Sequence, residues 1–330
     1  MRHLTTASHP DLLVGAATGD DAAVWRIDEN RSLIATVDFF TPIVDDAATW
    51  GDIAAVNSAS DVYAMGGRPL FALNIVAWPR DTLPLELLAE ALGGAQQAAT
   101  RGGWLVVGGH TVDGPEPFIG QAVIGEVATD QLLTNSGAHP GEVIVLTKAL
   151  GTGIVATAVK RLAADELQST WFKPSYDEAV ASMQRLNDDA AAAARTANAS
   201  AATDITGFGL LGHMQRLALE SGCALEIACD ALPLLVGVEG LIGRGFIPGG
   251  TGRNLDHVRS SLSYAGDFDQ ARWLNLLGDP QTSGGLAFTT TRALGEAAVR
   301  NLRAQGHPAA IIGVVRHGRS GELVLRNALS

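Results

Sequence analysis

Cysteine is nearly missing from this chain. There are two in 330 residues, Cys223 and Cys229, both within GCALEIACD (222–230). One pair cannot staple a chain this long, so a disulfide framework of the secreted kind is excluded. The alternation around the pair reads as a strand with both thiols on one face, where they behave as small buried hydrophobes. CxxC and HExxH are absent, which removes the common zinc signatures. GxSxG is absent, which removes the serine-hydrolase elbow. GxxxxGK[ST] is absent, so there is no P-loop. Basic residues are outnumbered, 23 Lys and Arg against 35 Asp and Glu, for a formal net charge of −12. A surface for nucleic acid needs the opposite balance, so no nucleic-acid partner is expected. An acidic protein still binds a nucleotide when metal ions bridge the like charges. No apolar run reaches the ~18 residues of a membrane span. MRHLTTASHPDLLVG at the start has no signal-peptide core. The expected location is therefore cytoplasmic, with no membrane partner.

What is present is a chain long enough for two domains, 47% hydrophobic and 18% charged, able to build a sizeable core. Strand-like and helix-like segments alternate, which predicts an α/β (α+β) fold. Short strands are expected at 12–14, 31–38, 69–78 and 118–128. Helices are expected over 51–65, with Asp52 near the start where negative charge is favoured, and over 84–101 from Pro84. WLVV (104–107) reads as a strand that runs into a glycine turn at GGH (108–110). GEVIVLTKALGTG (141–153) starts something new, giving an N-terminal domain over 1–140 and a C-terminal domain over 141–330. There, helices are expected at 151–164 and 174–197 and a strand–turn–helix over 202–222. Glycine-rich loops are expected at 248–254 and 278–285.

Against this apolar background one stretch carries the chemistry. TGDDAAVW (18–25), TVDFFTPIVDD (36–46) and GDIAAVNSASDVYAMGG (51–67) put Asp20, Asp21, Asp38 and Asp61 among small and apolar neighbours. Carboxylates in such surroundings are costly unless a partner neutralises them. A divalent cation serves several at once, and an all-oxygen set suits magnesium best. Asp38 closes a strand, where α/β proteins keep their sites. Asn57 and Asp61, four apart, share a helix face. Asp204 in TDITGFG repeats the context of Asp38: a short strand, an acid, a glycine turn. The glycines of GGH let backbone amides approach an anion. Gly151-Thr152-Gly153, at an expected helix start, could hold phosphate on its first amides.

TGDDAAV, TVDFFTPIVDD, NSASDVYAMGGRP, GGHTVDGPEP, TKALGTGI, TDITGFGLLGH, PGGTGRN and DPQTSGG occur in this order. Together they resemble the selenophosphate synthetase (selenide, water dikinase) family, within the superfamily of aminoimidazole ribonucleotide synthetase. The resemblance implies a two-domain fold of that superfamily, whose N-terminal sheet pairs with a second copy's to form a homodimer barrel. It implies that ATP, selenide and water give selenophosphate, AMP and phosphate. By motif position, Asp21, Asp61 and Asp204 look like Mg2+ ligands. Thr18, Gly19, Asp20, Asp38, Asp61, Gly109, His110 and Thr111 look like ATP contacts, some of them supplied by the second copy. The family also carries, upstream of TGDD, a glycine-rich segment with a reactive cysteine or selenocysteine and then a lysine. This chain has no cysteine before Cys223 and no lysine before Lys148. No catalytic residue is therefore assigned, and the chain is expected to bind Mg-ATP while making little selenophosphate. The other readings are a non-catalytic nucleotide-binding paralogue, or another superfamily member such as thiamine monophosphate kinase or a hydrogenase-maturation protein.

Overall fold

The computed structural model describes residues 7–328. They form two compact units. The first holds the described residues up to Pro42 together with Asp46–Thr134; the second holds Ile43–Asp45 and the chain from Asn135 onwards. Among the described residues, no helix is long and apolar enough to cross a membrane.

The first unit runs β1 (Leu12–Val14), β2 (Ala23–Arg26), β3 (Arg31–Phe40), α1 (Ala47–Ala64), β4 (Arg68–Trp78), α2 (Leu85–Gly102), β5 (Leu105–Asp113) and β6 (Phe118–Ala128). The strands make one sheet in the order β1-β2-β3-β6-β4-β5. β4 and β5 pair in parallel, as a crossover through α2 requires. The neighbouring pairs are antiparallel. α1 lies on the sheet, with its Val62 side chain seated where a Cβ on Gly125 of β6 would stand. Every residue of α1 from Trp50 to Ala64 is buried except Asp61, which is half-buried. Such a helix has no solvent face; it is covered by the sheet on one side and by α2 on the other.

α1 begins earlier than the sequence predicts. Asp46 caps it, its Oδ1 accepting the Thr49 N–H at 2.7 Å. Asp52 therefore lies past the first turn and is not a dipole partner. It is buried against α2, where the Arg101 guanidinium donates to both its oxygens at 2.5 and 2.8 Å. The two helices touch backbone to backbone. A Cβ on Gly51 would stand 1.7 Å from the Ala91 carbonyl oxygen, and one on Gly94 would stand 1.8 Å from that of Ala48.

The GGH segment is likewise not a turn. It lies inside β5, with Gly109 opposite Asn74 and His110 opposite Ile75. The face of the sheet away from α1 is bare. Val37 and Phe39 are 52% and 51% exposed, Leu73 43% and Leu105 67%.

The second unit contains β7 (Val143–Leu146), α3 (Thr152–Arg161), α4 (Ala164–Leu167), α5 (Lys173–Gln184), α6 (Asp188–Thr196), β8 (Ala201–Asp204), α7 (Gly209–Glu220) and β9 (Ala224–Ala228). It continues with α8 (Val238–Gly243), α9 (Gly249–Val258), β10 (Leu262–Tyr264), α10 (Gln270–Leu277), β11 (Leu286–Thr290), α11 (Arg292–Ala304), β12 (Ala310–Arg316) and β13 (Glu322–Arg326). Its seven strands follow the order β10-β13-β9-β12-β7-β11-β8. The single helix expected over 174–197 is two, broken where Asn187 turns its amide to the Gly284 carbonyl at 2.9 Å. PGGTGRN is not a loop; from Gly249 it is the first turn of α9. The two cysteines flank β9, and both are buried.

Candidate functional site

The first unit builds its acidic site from strand register. Antiparallel pairing puts Ala23 of β2 opposite Ala35 of β3, and the TGDD turn is the segment that leads into this strand. In that turn Thr18, Asp20 and Asp21 are half-buried, while Gly19 is exposed with φ +61°, a conformation that suits glycine. Side chains alternate along β3, so Thr36 and Asp38 share the face that packs against α1. There the Thr36 hydroxyl donates to Oδ2 of Asp61. The Asn57 amide donates to Oδ2 of Asp38 at 2.8 Å. One turn thus serves both acids, because Asn57 and Asp61 occupy the same face of α1.

The row continues across the sheet. Asp38 is opposite Gln121, Gln121 is opposite Asn74, and Asn74 is opposite Gly109. Gln121 donates to the Asn74 side-chain oxygen at 3.0 Å and accepts from the Trp104 indole at 3.3 Å. Ser58 donates to the Asp38 carbonyl at 2.9 Å and accepts the Gln121 N–H at 3.1 Å. Burial pushes the Asp38 carboxyl above the usual carboxylate range, and the Asn57 hydrogen bond pulls it partly back.

Asp38 and Gly109 therefore stand at one level of the sheet, and Asp61 reaches β3 through Thr36. His110 does not join them. It follows Gly109 by one residue and shares the bare face with Ile75 and Phe39, whose common neighbour is Gly120. Thr111, one further on, returns to the level of Val76 on the helix side. Thr36, Ser58, Asn74 and Gln121 were not singled out from the sequence. Thr36 had a readable signal, since it lies two residues before Asp38 on a strand. The others depend on long-range pairing.

In the second unit Asp204 ends β8 and is buried. Beside it, the Thr206 N–H donates to Nε2 of His213 at 3.1 Å. That nitrogen accepts, so the ring is neutral with its proton on Nδ1, in line with burial pushing His213 down to about 4. Lys148 is fully buried, and desolvation lowers its ammonium to about 7 although Asp204 favours the charged form.

Gly151-Thr152-Gly153 does start a helix, α3, but its amides are spoken for. Gln281 Oε1 accepts from the Gly151 N–H at 3.0 Å and the Thr152 N–H at 3.2 Å. Asp279 Oδ2 accepts from the Ile154 N–H at 3.4 Å. The helix start is plugged by its own chain, which corrects the reading of this turn as a phosphate cradle. Asp279 is completely buried, and burial raises its carboxyl to about 8.

Comparison with known proteins fits this architecture. The model of the N-terminal domain of AIR synthase related proteins matches residues 19–127, and that of their C-terminal domain matches residues 139–326. Selenide, water dikinase of Carboxydothermus hydrogenoformans is 42% identical over 326 residues, 99% of this chain and 92% of that one. The enzyme of the same name from Geobacter metallireducens is 44% identical over 96% of this chain and 90% of its own. Among solved structures, thiamine-monophosphate kinase from Stenotrophomonas maltophilia superposes with a TM-score of 0.69 at 22% identity, covering 98% of this chain and 93% of its own. A hydrogenase maturation protein in complex with ATP gives 0.65 at 20% identity, covering 96% and 87%. At these identities the solved structures speak for the fold alone.

Proposed function

The chain belongs to the selenide, water dikinase family, and from that premise we propose that it binds ATP with magnesium in order to make selenophosphate from selenide and water, releasing AMP and phosphate. The observation that carries this reading is the acidic row of the first unit. Asp38 and Asp61 are each oriented by a neutral donor, Asn57 and Thr36, and burial works against the charge on Asp38. Carboxylates held this way gain from a hard cation, and the donors present are all oxygens, which fits magnesium.

Asp21 and Asp61 are the proposed magnesium ligands of this unit, and Asp204 that of the second. Thr18, Gly19, Asp20, Asp38, Asp61, Gly109, His110 and Thr111 are the proposed nucleotide contacts. Magnesium, when bound, would neutralise phosphate charge during phosphoryl transfer. The chain's own part is positioning. Asn57 and Thr36 fix the carboxylates, the Gly19 turn brings backbone amides within reach of phosphate oxygens, and neutral His213 adds no charge beside Asp204.

The bare sheet face supports a homodimer. Val37, Phe39, Leu73 and Leu105 are a continuous apolar cost in water. Pairing two such faces would also bring His110 of each copy under the other's sheet. The proposed location is cytoplasmic.

Cys223 and Cys229 are not proposed to handle selenium. Both are buried, and burial raises both thiols, Cys229 to about 12. The discriminating experiment follows ATP consumption anaerobically by phosphorus NMR with selenide or thiamine monophosphate as acceptor. Selenide-dependent AMP and selenophosphate, however slow, with no consumption on thiamine monophosphate, is the expected result. Consumption on thiamine monophosphate alone would overturn the reading.

A further inference from the structure

The segment GDPQTSGG (278–285) backs the end of β8. The Ile205 N–H donates to the Gly285 carbonyl at 2.9 Å, and the Gln281 N–H donates to the Thr206 carbonyl at 3.0 Å. Asp204 itself pairs with Leu286, the first residue after the segment. The loop thus pairs with the main chain at and just after Asp204.

The loop contains a conformation that does not hold itself. Ser283 has φ +48°, in the left-handed region, without being a glycine. Such a residue persists only where its surroundings impose it. Two contacts do so. The Ser283 hydroxyl donates to the Met183 carbonyl at 2.6 Å. Its own carbonyl accepts from Nζ of Lys148 at 2.9 Å, while the same Nζ donates to the Arg185 carbonyl at 2.6 Å. Lys148 thereby ties the loop to the end of α5. An ammonium buried completely is expensive, and here it is spent on two main-chain oxygens.

We infer that Lys148 is a positioning residue: it latches Ser283 in its left-handed conformation and so fixes the loop that orients Asp204. The inference rests on the proposed role of Asp204 as a metal ligand.

The test uses the full chain and three readouts: hydrogen–deuterium exchange of residues 205–206 and 279–286 without metal, Mn2+ titration, and KM for Mg-ATP against kcat. Lys148→Met keeps the stem and removes the donors. It is expected to speed exchange in the loop about tenfold or more, the scale of a lost charge-assisted hydrogen bond. It is expected to weaken Mn2+ binding roughly tenfold, as removing an orienting partner of a metal ligand does. KM for Mg-ATP should rise more than kcat falls.

Ser283→Gly in the Lys148→Met background should restore loop exchange and Mn2+ binding in part, because glycine adopts φ +48° unaided. Mere loss of packing at Lys148 would not be rescued this way. Should Lys148→Met not fold, Lys148→Gln is read identically, its amide being too short to span both carbonyls. Unchanged loop exchange in either variant overturns the inference. So does unchanged Mn2+ affinity where Asp204→Asn weakens it. If Asp204→Asn leaves Mn2+ affinity unchanged, the ligand role of Asp204 fails, while loop exchange still reports separately on the latch.

Discussion

At the scale of single residues, two carboxylic acids in different surroundings make opposite predictions. Asp61 is the accessible residue on an otherwise buried stretch of helix. Asp61→Asn should weaken Mg-ATP binding by at least ~10–100-fold, the range found even for residues that only orient a metal ligand. Titration of ATP in the presence of Mg2+ measures it, and thermal unfolding should change little. Asp279 instead plugs the start of α3 and is shifted upward to about 8 by burial. Its unfolded value is near ~3.9. Between these two values the folded state holds a proton that the unfolded state has released, so its contribution to stability falls as pH rises from ~4 to ~8. Against Asp279→Asn, the native chain should lose up to ~1.4 kcal/mol of relative stability per pH unit in that window. Urea unfolding at four pH values checks it; a constant difference would remove the argument. Of the acids, Asp20, Asp21, Asp38, Asp61 and Asp204 stand out in the sequence because each interrupts a small or apolar run. The donors that orient them were less legible. Asn57 shares a helix face with Asp61 and was visible, whereas Gln121 comes opposite Asp38, and Asn74 opposite Gln121, only through pairing between strands distant in sequence.

Among elements, those whose periodicity is local were readable, and those decided by neighbours were not. β3, β4, β6 and α2 stand within about two residues of their expected limits, the ordinary uncertainty of helix and strand ends. The start of α1 was missed because Gly51 reads as a boundary, although Asp46 is a good cap. Glycine there answers a different need, the close crossing with α2. GGH reads as a turn by composition, yet parallel pairing with β4 draws it into a strand. PGGTGRN reads as a loop, but it is wound into α9, which packs against α7. Two adjacent glycines of α2 separate propensity from packing. Gly94→Ala would put a methyl 1.8 Å from the Ala48 carbonyl oxygen, whereas Gly93 has nothing within 4 Å. Gly94→Ala should therefore destabilise the chain by ~1–3 kcal/mol or more through overpacking. Gly93→Ala should stabilise it by ~0.5–1 kcal/mol. Chemical denaturation of the two variants side by side decides it, and equal effects would contradict the helix crossing described.

For the whole molecule, the bare apolar face of the first sheet and the acidic row on its other face belong to one proposal: a dimer that binds nucleotide through metal. Phe39→Lys and Leu73→Lys, both on the bare face, should convert a dimer to a monomer in sedimentation velocity without unfolding the first unit. A native chain that sediments as a monomer would dismiss the pairing. The fold class was legible because the order of motifs runs through the whole chain. Assembly was suggested only by resemblance, since a strand that buries one face and exposes the other looks the same in sequence whatever covers it. The central claim is that separated aspartates bind cations, and through them a triphosphate. Calorimetric titration of the purified protein with ATP, once with Mg2+ and once with EDTA, tests it most directly. Binding that requires Mg2+ and is lost in Asp38→Asn and Asp61→Asn is the predicted result. ATP binding of equal strength in EDTA, or unaffected by both substitutions, would contradict it.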